Sequence, residues 1–319
     1  MTELTISECA GWLEQRDHFV ILTHRKPDGD TLGSSAALCL SLRAMGKTAH
    51  LLENPEVTPL FAPLMEGLTK PEPEQGDLLI AVDVAADTLL PRAFERYKNS
   101  IDLRIDHHGS GREYTPAELV DSSYAACAEI IWELLPDLDV EMDKAIAEAI
   151  YVGTATDTGC FRFANTTAHT FDVAADCAAA GADVFEWNRR LFETNSLAKL
   201  RLQGWVAEHT KLFCDGKLAV CALPKSVEEE LGVDEDDLGN LSSFIRTIEG
   251  VCMAALLRQA DENNTKVSMR AIPGYDAAAV CAMFEGGGHA GAAGCSVREP
   301  MDIAQGLVEK AMLDWELGT

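Results

Sequence analysis

The sequence predicts an α/β protein: a doubly wound, mostly parallel sheet in a first domain and a smaller α/β domain after it. Short apolar runs alternate with helical patterns over residues 18–135, as expected for parallel strands joined by right-handed crossovers. The chain has 319 residues, more than a single hydrophobic core usually contains, so two domains are expected. We expect the active site in the cleft between them.

The first domain is predicted to span residues 1–189. Apolar runs predict strands at 18–23, 48–53, 77–83 and 101–106, and helical patterns occupy 32–45, 124–135, 143–154 and 166–180. Between the last two helices, "TATDTGCFRFANTT" is rich in turn residues. Residues 190–210 have helical periodicity without a core strand, which predicts a helical linker.

The second domain is predicted over residues 211–319. It begins with a hairpin around Asp215 and Gly216, and two further strands are expected to join at residues 262–264. The helix "DAAAVCAMFE", the loop "GGGHAGAAG", the strand "CSV" and a final helix follow.

The composition is that of a globular and strongly acidic protein. Its net charge of −26 opposes long, non-specific contact with nucleic acid, because such binding neutralises many phosphates. None of the ten cysteines lies in a CxxC pair, which favours free thiols in a reducing compartment. The sequence has no signal-peptide pattern and no apolar run long enough for a membrane helix. We therefore expect a cytoplasmic protein that binds neither membranes nor long nucleic acids.

Polar residues follow three of the predicted strands. His24 comes after "VILT", Asp83 ends "LLIAVD" and Asp106 ends "IDLRID". In a parallel sheet the carboxyl ends of the strands share one edge, where ligands bind. The segment "HRKPDGD" adds Asp28 and Asp30 in a loop whose proline and glycine favour a turn. A histidine and two aspartates this close in sequence can converge on a divalent cation.

Two further segments carry candidate ligands. His107 and His108 are adjacent in "IDHHGSG", where at most one of them can point into the sheet edge, and Asp157 lies in "TATDTG". Five carboxylates at one edge would repel each other as bare anions, and bound cations remove that repulsion. Carboxylates with imidazoles and no thiolate suit Mn²⁺ or Mg²⁺ better than structural zinc. A pair of such ions is a common device for displacement at phosphorus.

Four segments in order, "HRKPDGDTLGS", "VD" at 82–83, "DHH" at 106–108 and "DTG" at 157–159, resemble the motifs of the DHH phosphoesterase superfamily. The segment "GGGHAGAAG" at 286–294 resembles the signature of the DHH-associated C-terminal domain. The chain length is similar to that of the NrnA-like branch of oligoribonucleases and 3′-phosphoadenosine 5′-phosphate phosphatases. The resemblance covers nearly the whole chain and implies a hydrolase of phosphoester bonds.

The resemblance also implies a role for each candidate in the first domain. The implied metal ligands are His24 and Asp28 for one ion, Asp30 and His107 for the second, Asp83 as the bridge, and Asp157 to complete the cluster. Asp106 would orient His107 by accepting a hydrogen bond from its other ring nitrogen. His108 would face the scissile phosphate.

The second domain would clamp the substrate. The candidates for phosphate contacts are Arg162 in the first domain and, in the second, Arg270, Gly286, Gly287, Gly288 and His289. The three glycines let the backbone approach an anion and direct N–H groups at it, forming an anion nest. The histidine after them can donate to a phosphate, and Arg270 resembles the family's phosphate-binding arginine.

The implied reaction is hydroxide attack on phosphorus that trims short oligoribonucleotides to mononucleotides or dephosphorylates 3′-phosphoadenosine 5′-phosphate. Such small substrates need only a local pocket, in agreement with the acidic composition. The residues do not separate this activity from a phosphodiesterase for linear or cyclic dinucleotides. A RecJ-like exonuclease would need a more basic groove, and a family II pyrophosphatase would have a cluster of basic residues where this chain has GGGH. A non-catalytic sensor would be expected to have lost some of the metal ligands. The sequence is compatible with a monomer or a homodimer.

Overall fold

A computed structural model describes residues 2–109, 114–234 and 237–318. The chain divides into two compact units, residues 1–194 and 195–319. The boundary falls inside the segment for which the sequence predicts a linker. In the part of the chain that the structure describes, no helix is both long and apolar enough to cross a membrane.

The first unit contains a seven-stranded sheet in the order β1-β7-β6-β5-β2-β3-β4. Its strands are β1 (Thr2–Glu3), β2 (Phe19–Leu22), β3 (Ala49–Leu52), β4 (Thr69–Lys70), β5 (Leu78–Val82), β6 (Ile101–Asp106) and β7 (Ala117–Val120). Every pairing of neighbouring strands described in this sheet is parallel, which confirms the predicted α/β class. The chain runs outward from β2 in one direction and from β5 in the other, so the strand order reverses between them. Ligand sites in open parallel sheets lie at this switch point.

Helices pack mainly on one face of this sheet. They are α1 (Ile6–Glu14), α2 (Gly29–Ala44), α3 (Ala62–Met65), α4 (Cys127–Asp137), α5 (Lys144–Asp157), α6 (Ala168–Ala179) and α7 (Val184–Asn188). Alternate residues of the strands face opposite sides, so Phe19 and Ile21 enter the helix-covered core while Val20 and Leu22 enter a smaller one. Short 3₁₀ segments, Asp87–Leu89 and Arg92–Tyr97, contribute Leu89, Leu90, Phe94 and Tyr97 to that smaller core.

The second unit contains a six-stranded mixed sheet in the order β12-β13-β11-β10-β9-β8. Its strands are β8 (Lys211–Phe213), β9 (Leu218–Leu223), β10 (Met253–Asp261), β11 (Asn264–Ala271), β12 (Gly287–His289) and β13 (Ala292–Val297). Its helices are α8 (Leu197–His209), α9 (Lys225–Leu231), α10 (Leu241–Arg246), α11 (Ala277–Ala282) and α12 (Met301–Gly318). Strands β9 and β10 pair in parallel and the other described pairs are antiparallel.

Three local expectations from the sequence need correction. Helix α8 buries Leu202 and Val206 fully in a core of the second unit, so most of the predicted linker is a packed element. Helix α5 extends to Asp157, so that residue ends a helix and does not lie in a turn. The segment "GGGHAGAAG" is a hairpin of β12 and β13, because Gly287, Gly288 and His289 pair in antiparallel register with Gly294, Ala293 and Ala292.

Helices α2 and α5 pack closely because Gly33 of α2 lies directly against the backbone of α5. A Cβ on Gly33 would lie 2.4 Å from the carbonyl oxygen of Ala149 and 2.8 Å from the amide nitrogen of Gly153. Both atoms belong to the α5 backbone and cannot rotate away. Since α2 begins at the "DGD" aspartates and α5 ends at Asp157, this contact sets the distance between the two groups of carboxylates.

Replacing Gly33 by alanine is therefore expected to lower the free energy of unfolding of the first unit by about 2–3 kcal/mol, through overpacking against a rigid backbone. Urea unfolding measures the change. The matched control is Gly11→Ala in α1, where a Cβ would meet nothing within 4 Å; it should raise stability by up to about 1 kcal/mol. Equal effects of the two substitutions would contradict the close packing.

Candidate metal centre

The candidate ligands of the first unit gather where the strand order reverses. His24 lies two residues beyond β2, Asp83 lies directly after β5, and His107 directly after β6. Asp28 caps the N-terminus of α2 by accepting hydrogen bonds from the amides of Asp30 and Thr31 at 3.1 and 3.2 Å. The hydroxyl of Thr31 donates to the carbonyl of Val82 at 2.9 Å, which ties the start of α2 to the end of β5.

Asp83 stands between two sets of ligand atoms. Its Oδ2 lies 3.7 Å from Nε2 of His24, and that nitrogen is 3.6 Å from Oδ1 of Asp28. Its Oδ1 lies 3.6 Å from Nε2 of His107. His107 Nε2 is also 3.7 Å from Oδ2 of Asp30 and 3.5 Å from Oδ2 of Asp157. These separations are too long for hydrogen bonds. Three overlapping groups are each compact enough for their atoms to share one cation: His24 with Asp28 and Asp83, Asp30 with His107 and Asp157, and Asp83 with His107 and His108.

Two atoms of this cluster are buried without a hydrogen bond in the described residues. They are Oδ1 of Asp83 and Nε2 of His107. The other ring nitrogen of His107 lies 3.3 Å from the carbonyl oxygen of Tyr124, so it is the natural donor and Nε2 carries the lone pair. A lone pair surrounded by carboxylate oxygens is unfavourable, and a buried polar atom without a partner costs free energy. A divalent cation satisfies both atoms, so the donor set fits a metal.

The backbone fixes these side chains. Asp83 has a φ of 57°, an uncommon conformation for a residue with a side chain and one that occurs at functional sites. Its amide donates to the carbonyl of Ile105 at 2.9 Å, which holds it in this position. Asp30 accepts hydrogen bonds from the amides of Cys127 and Ala128 at 2.7 and 3.0 Å. These amides begin helix α4, where backbone N–H groups favour an anion.

The electrostatics of the cluster favour a bound cation. Burial, together with the charges of Asp30 and Asp28, raises the pKa of Asp157 to about 8. Burial, with the charge of Asp30 as the next cause, raises the pKa of Asp83 well above its usual range. The carboxylates therefore compete for protons when they are crowded without a counter-charge. A cation that displaces these protons would keep all of them ionised.

His108 belongs to a different arrangement from His107. Its Nδ1 lies 2.9 Å from Oδ1 of Asp106 and 3.3 Å from Oδ1 of Asp83. The hydrogen bond with Asp106, followed by the nearby carboxylate of Asp83, raises the pKa of His108 to about 11. The expectation that Asp106 orients His107 is therefore wrong: Asp106 holds His108, and a backbone carbonyl faces His107.

Arg104 completes this second arrangement and was not among the candidates from the sequence. Its side chain is buried, and Nη2 and Nε donate to Oδ2 of Asp106 at 2.6 and 3.0 Å. Buried arginine is rare without a partner. The only signal in the sequence is a cation inside the apolar run "IDLRID". The hydrogen bond with His108, and then the charge of Arg104, lower the pKa of Asp106, and the ionised Asp106 in turn keeps the proton on His108.

The candidate phosphate contacts are distributed over both units. In the first unit, Nε of Arg162 donates to the carbonyl of Gly159 at 2.6 Å. In the second, Arg270 is half-buried on β11 and one of its terminal nitrogens donates to the carbonyl of Met269 at 2.9 Å. His289 is exposed on β12, where it pairs with Ala292.

The predicted anion nest is wrong for one of its glycines. The amide of Gly286 donates to the carbonyl of Cys281 at 3.0 Å, so it is not free for a substrate anion. Gly287 and Gly288 lie in β12 opposite Gly294 and Ala293, and both are exposed. An anion at this hairpin would meet the exposed edge of β12 and not a loop of three free amides.

Comparison with known proteins agrees with this architecture. The family model described as "DHH family, N-terminal domain" matches residues 18–154, and the model described as "DHHA1 domain" matches residues 215–312. A solved structure of an exopolyphosphatase-related protein from Bacteroides fragilis has a TM-score of 0.87 at 23% identity, over 98% of this chain and 96% of that chain. This likeness shows a shared fold.

Two curated relatives match most of the chain. The bifunctional oligoribonuclease and PAP phosphatase NrnA of Thermus thermophilus is 34% identical over 280 residues, which cover 87% of this chain and 83% of that protein. The Bacillus subtilis protein of the same name is 27% identical over 287 residues, covering 88% of this chain and 90% of that protein. The chain belongs to the DHH family of phosphoesterases.

Proposed function

We propose that this chain hydrolyses short oligoribonucleotides to mononucleotides and removes the 3′-phosphate from 3′-phosphoadenosine 5′-phosphate. The observation that carries the proposal is Asp83, whose two oxygens face two separate sets of histidine and aspartate ligands. The activities named for the relatives in Thermus thermophilus and Bacillus subtilis support the choice of substrates.

The cluster would hold two divalent ions, Mn²⁺ in the first place and Mg²⁺ as the alternative. The proposed ligands are His24, Asp28 and Asp83 for one ion, and Asp30, His107 and Asp157 for the other. Asp83 is the proposed bridge to the second ion, because its Oδ1 lies 3.6 Å from Nε2 of His107. Carboxylate oxygens with a few imidazole nitrogens and no thiolate favour these metals over structural zinc. When bound, such ions would supply a nucleophile from water at neutral pH and positive charge against the phosphoryl oxygens.

His108 would supply the proton that the reaction needs. Asp106 and Asp83 occupy its Nδ1, and in the described residues its Nε2 has no hydrogen-bond partner. This leaves Nε2 to donate to the 3′-oxygen as it leaves, the role of a general acid. Arg104 acts indirectly, as a positioning residue, because it holds Asp106 and Asp106 holds the imidazole.

The second unit would bind the phosphate at the end of the substrate. A guanidinium such as that of Arg270 can form two parallel hydrogen bonds with a phosphate, and His289 on the exposed β12 can add a third. The overall charge of −26 opposes long nucleic acids, whose binding depends on many cationic contacts. A substrate of a few nucleotides needs only these local groups and the cations.

The direct test is a substrate panel with the purified chain. Di- to pentaribonucleotides, 3′-phosphoadenosine 5′-phosphate, cyclic di-adenylate and pyrophosphate are each incubated with Mn²⁺ and, as the control, with EDTA. We expect mononucleotides from short RNA and adenosine 5′-monophosphate from 3′-phosphoadenosine 5′-phosphate, in Mn²⁺ alone. Cleavage of only the cyclic dinucleotide or only pyrophosphate would contradict the proposal. Nucleotide binding without any product would indicate a non-catalytic sensor.

The adjacent histidines should separate metal binding from turnover. His107→Ala removes a proposed ligand, so calorimetry should show Mn²⁺ affinity lowered by at least about tenfold. His108→Ala should leave Mn²⁺ affinity within about twofold and lower kcat by about 10²–10⁴, the usual contribution of a general acid. His209→Ala, on α8 of the second unit, is the control for both measurements. Loss of metal affinity in His108→Ala would make that residue a ligand and refute its assignment as the acid.

A further inference from the structure

An exposed aromatic ring packs on the backbone that directly follows the proposed ligand Asp157. Phe163 follows Asp157 by six residues and is 52% exposed. Its ring lies against the backbone of Gly159, where an added Cβ would come within 2.3 Å of the ring carbon Cζ. The glycine thus lets the ring approach the residues that directly follow Asp157. The ring atoms Cζ, Cε1 and Cε2 lie against this backbone, while about half of the residue is exposed to solvent.

The backbone that carries this ring is strained. Gly159, Cys160 and Phe161 have φ values of 57°, 58° and 62°, so three consecutive residues adopt the left-handed conformation. Residues with a side chain rarely do so, and never in runs without support. Strained backbone of this kind concentrates at functional sites.

Hydrogen bonds fix this left-handed turn at the end of α5. The amide of Cys160 donates to the carbonyl of Ala155 at 2.7 Å, and the amide of Phe163 donates to the carbonyl of Thr158 at 3.0 Å. The side chain of Asn165 donates to the carbonyls of Asp157 and Ala125 at 3.2 and 3.0 Å. The turn is therefore held to the same backbone that positions Asp157.

The side chains on either side of Arg162 differ in their packing. Phe161 stacks on Phe171, with ring centroids 5.6 Å apart, and packs against the core. Phe163 is in neither of these contacts. Arg162 lies between the two phenylalanines in sequence. Its Nε donates a hydrogen bond to the carbonyl of Gly159, and its side chain is exposed. An exposed ring and an exposed cation thus occupy adjacent positions in the turn that directly follows Asp157.

We propose that Phe163 is a stacking platform for a nucleobase of the substrate, with Arg162 beside it for a phosphate. This inference rests on the proposed function. It adds a contact to the base to a site whose other proposed substrate contacts are all to phosphate. Bases of every type have a face that stacks on an aromatic ring, so the contact is tolerant of sequence. That suits an enzyme that trims short RNA of any sequence.

The test compares a ligand that has a base with one that lacks it. Adenosine 5′-monophosphate and ribose 5-phosphate share the sugar and the phosphate, and their binding to the full chain with Mn²⁺ is measured by calorimetry. We expect the unchanged protein to bind the nucleotide about tenfold more tightly, the effect of one stacked base. Phe163→Leu, which keeps apolar volume without a flat ring, should remove this preference, and Phe163→Trp should keep it.

Phe185→Leu is the matched control, since Phe185 is 74% exposed on α7 and should leave the preference unchanged. Equal binding of the two ligands by the unchanged protein would overturn the platform. So would a preference that survives in Phe163→Leu. Because the readout is binding, it stays informative whatever the substrate panel shows: absence of turnover there counts against the hydrolase, whereas loss of the base preference in Phe163→Leu alone supports the platform.

Discussion

Repulsion among buried carboxylates is the constraint on which the first unit depends. Asp30, Asp83 and Asp106 are almost completely inaccessible to solvent, and Asp28 and Asp157 lie beside them at the same edge of the sheet. Buried charges are tolerated only when they are paired. Arg104 pairs with Asp106 and Glu118, and none of the ion pairs described for it reaches Asp28, Asp30, Asp83 or Asp157, so these carboxylates need a different counter-charge. Two cations would supply it, and the same ions would give the site its chemistry.

The fold brings these charges together by backbone geometry more than by side-chain contacts. Parallel strands on both sides of the switch point end at the same edge, and the positive φ of Asp83 turns its carboxylate between the two histidines. Close packing of α2 on α5 through Gly33 adds the ligands that lie on helix ends. The left-handed turn after Asp157 continues this arrangement and places an aromatic ring at its border. Some of the positive-φ residues and close glycine contacts of the first unit therefore lie where the chemistry is proposed.

The sequence was sufficient to name the six proposed ligands. His24, Asp83 and His107 each follow an apolar strand at a predictable edge, and the resemblance to the family motifs supplies Asp28, Asp30 and Asp157. It could not assign Asp106 to His108 or reveal Arg104, since the choice between adjacent histidines and the burial of one arginine depend on tertiary packing. Strands β1 and β4 have two residues each, too few for any periodicity. The "GGGH" glycines indicated a loop by composition, yet pairing with β13 makes them a strand.

Asp83 is proposed to join both cation sites, and the substitution Asp83→Asn tests this proposal most directly. Asparagine tolerates a positive φ, so the backbone is kept while one charge and one ligand oxygen are lost. The measurement is the number of Mn²⁺ ions bound per chain, by equilibrium dialysis of the unchanged protein and the variant. We expect two ions on the unchanged chain and weakened binding of both in the variant. Two ions held by Asp83→Asn with unchanged affinity would contradict it.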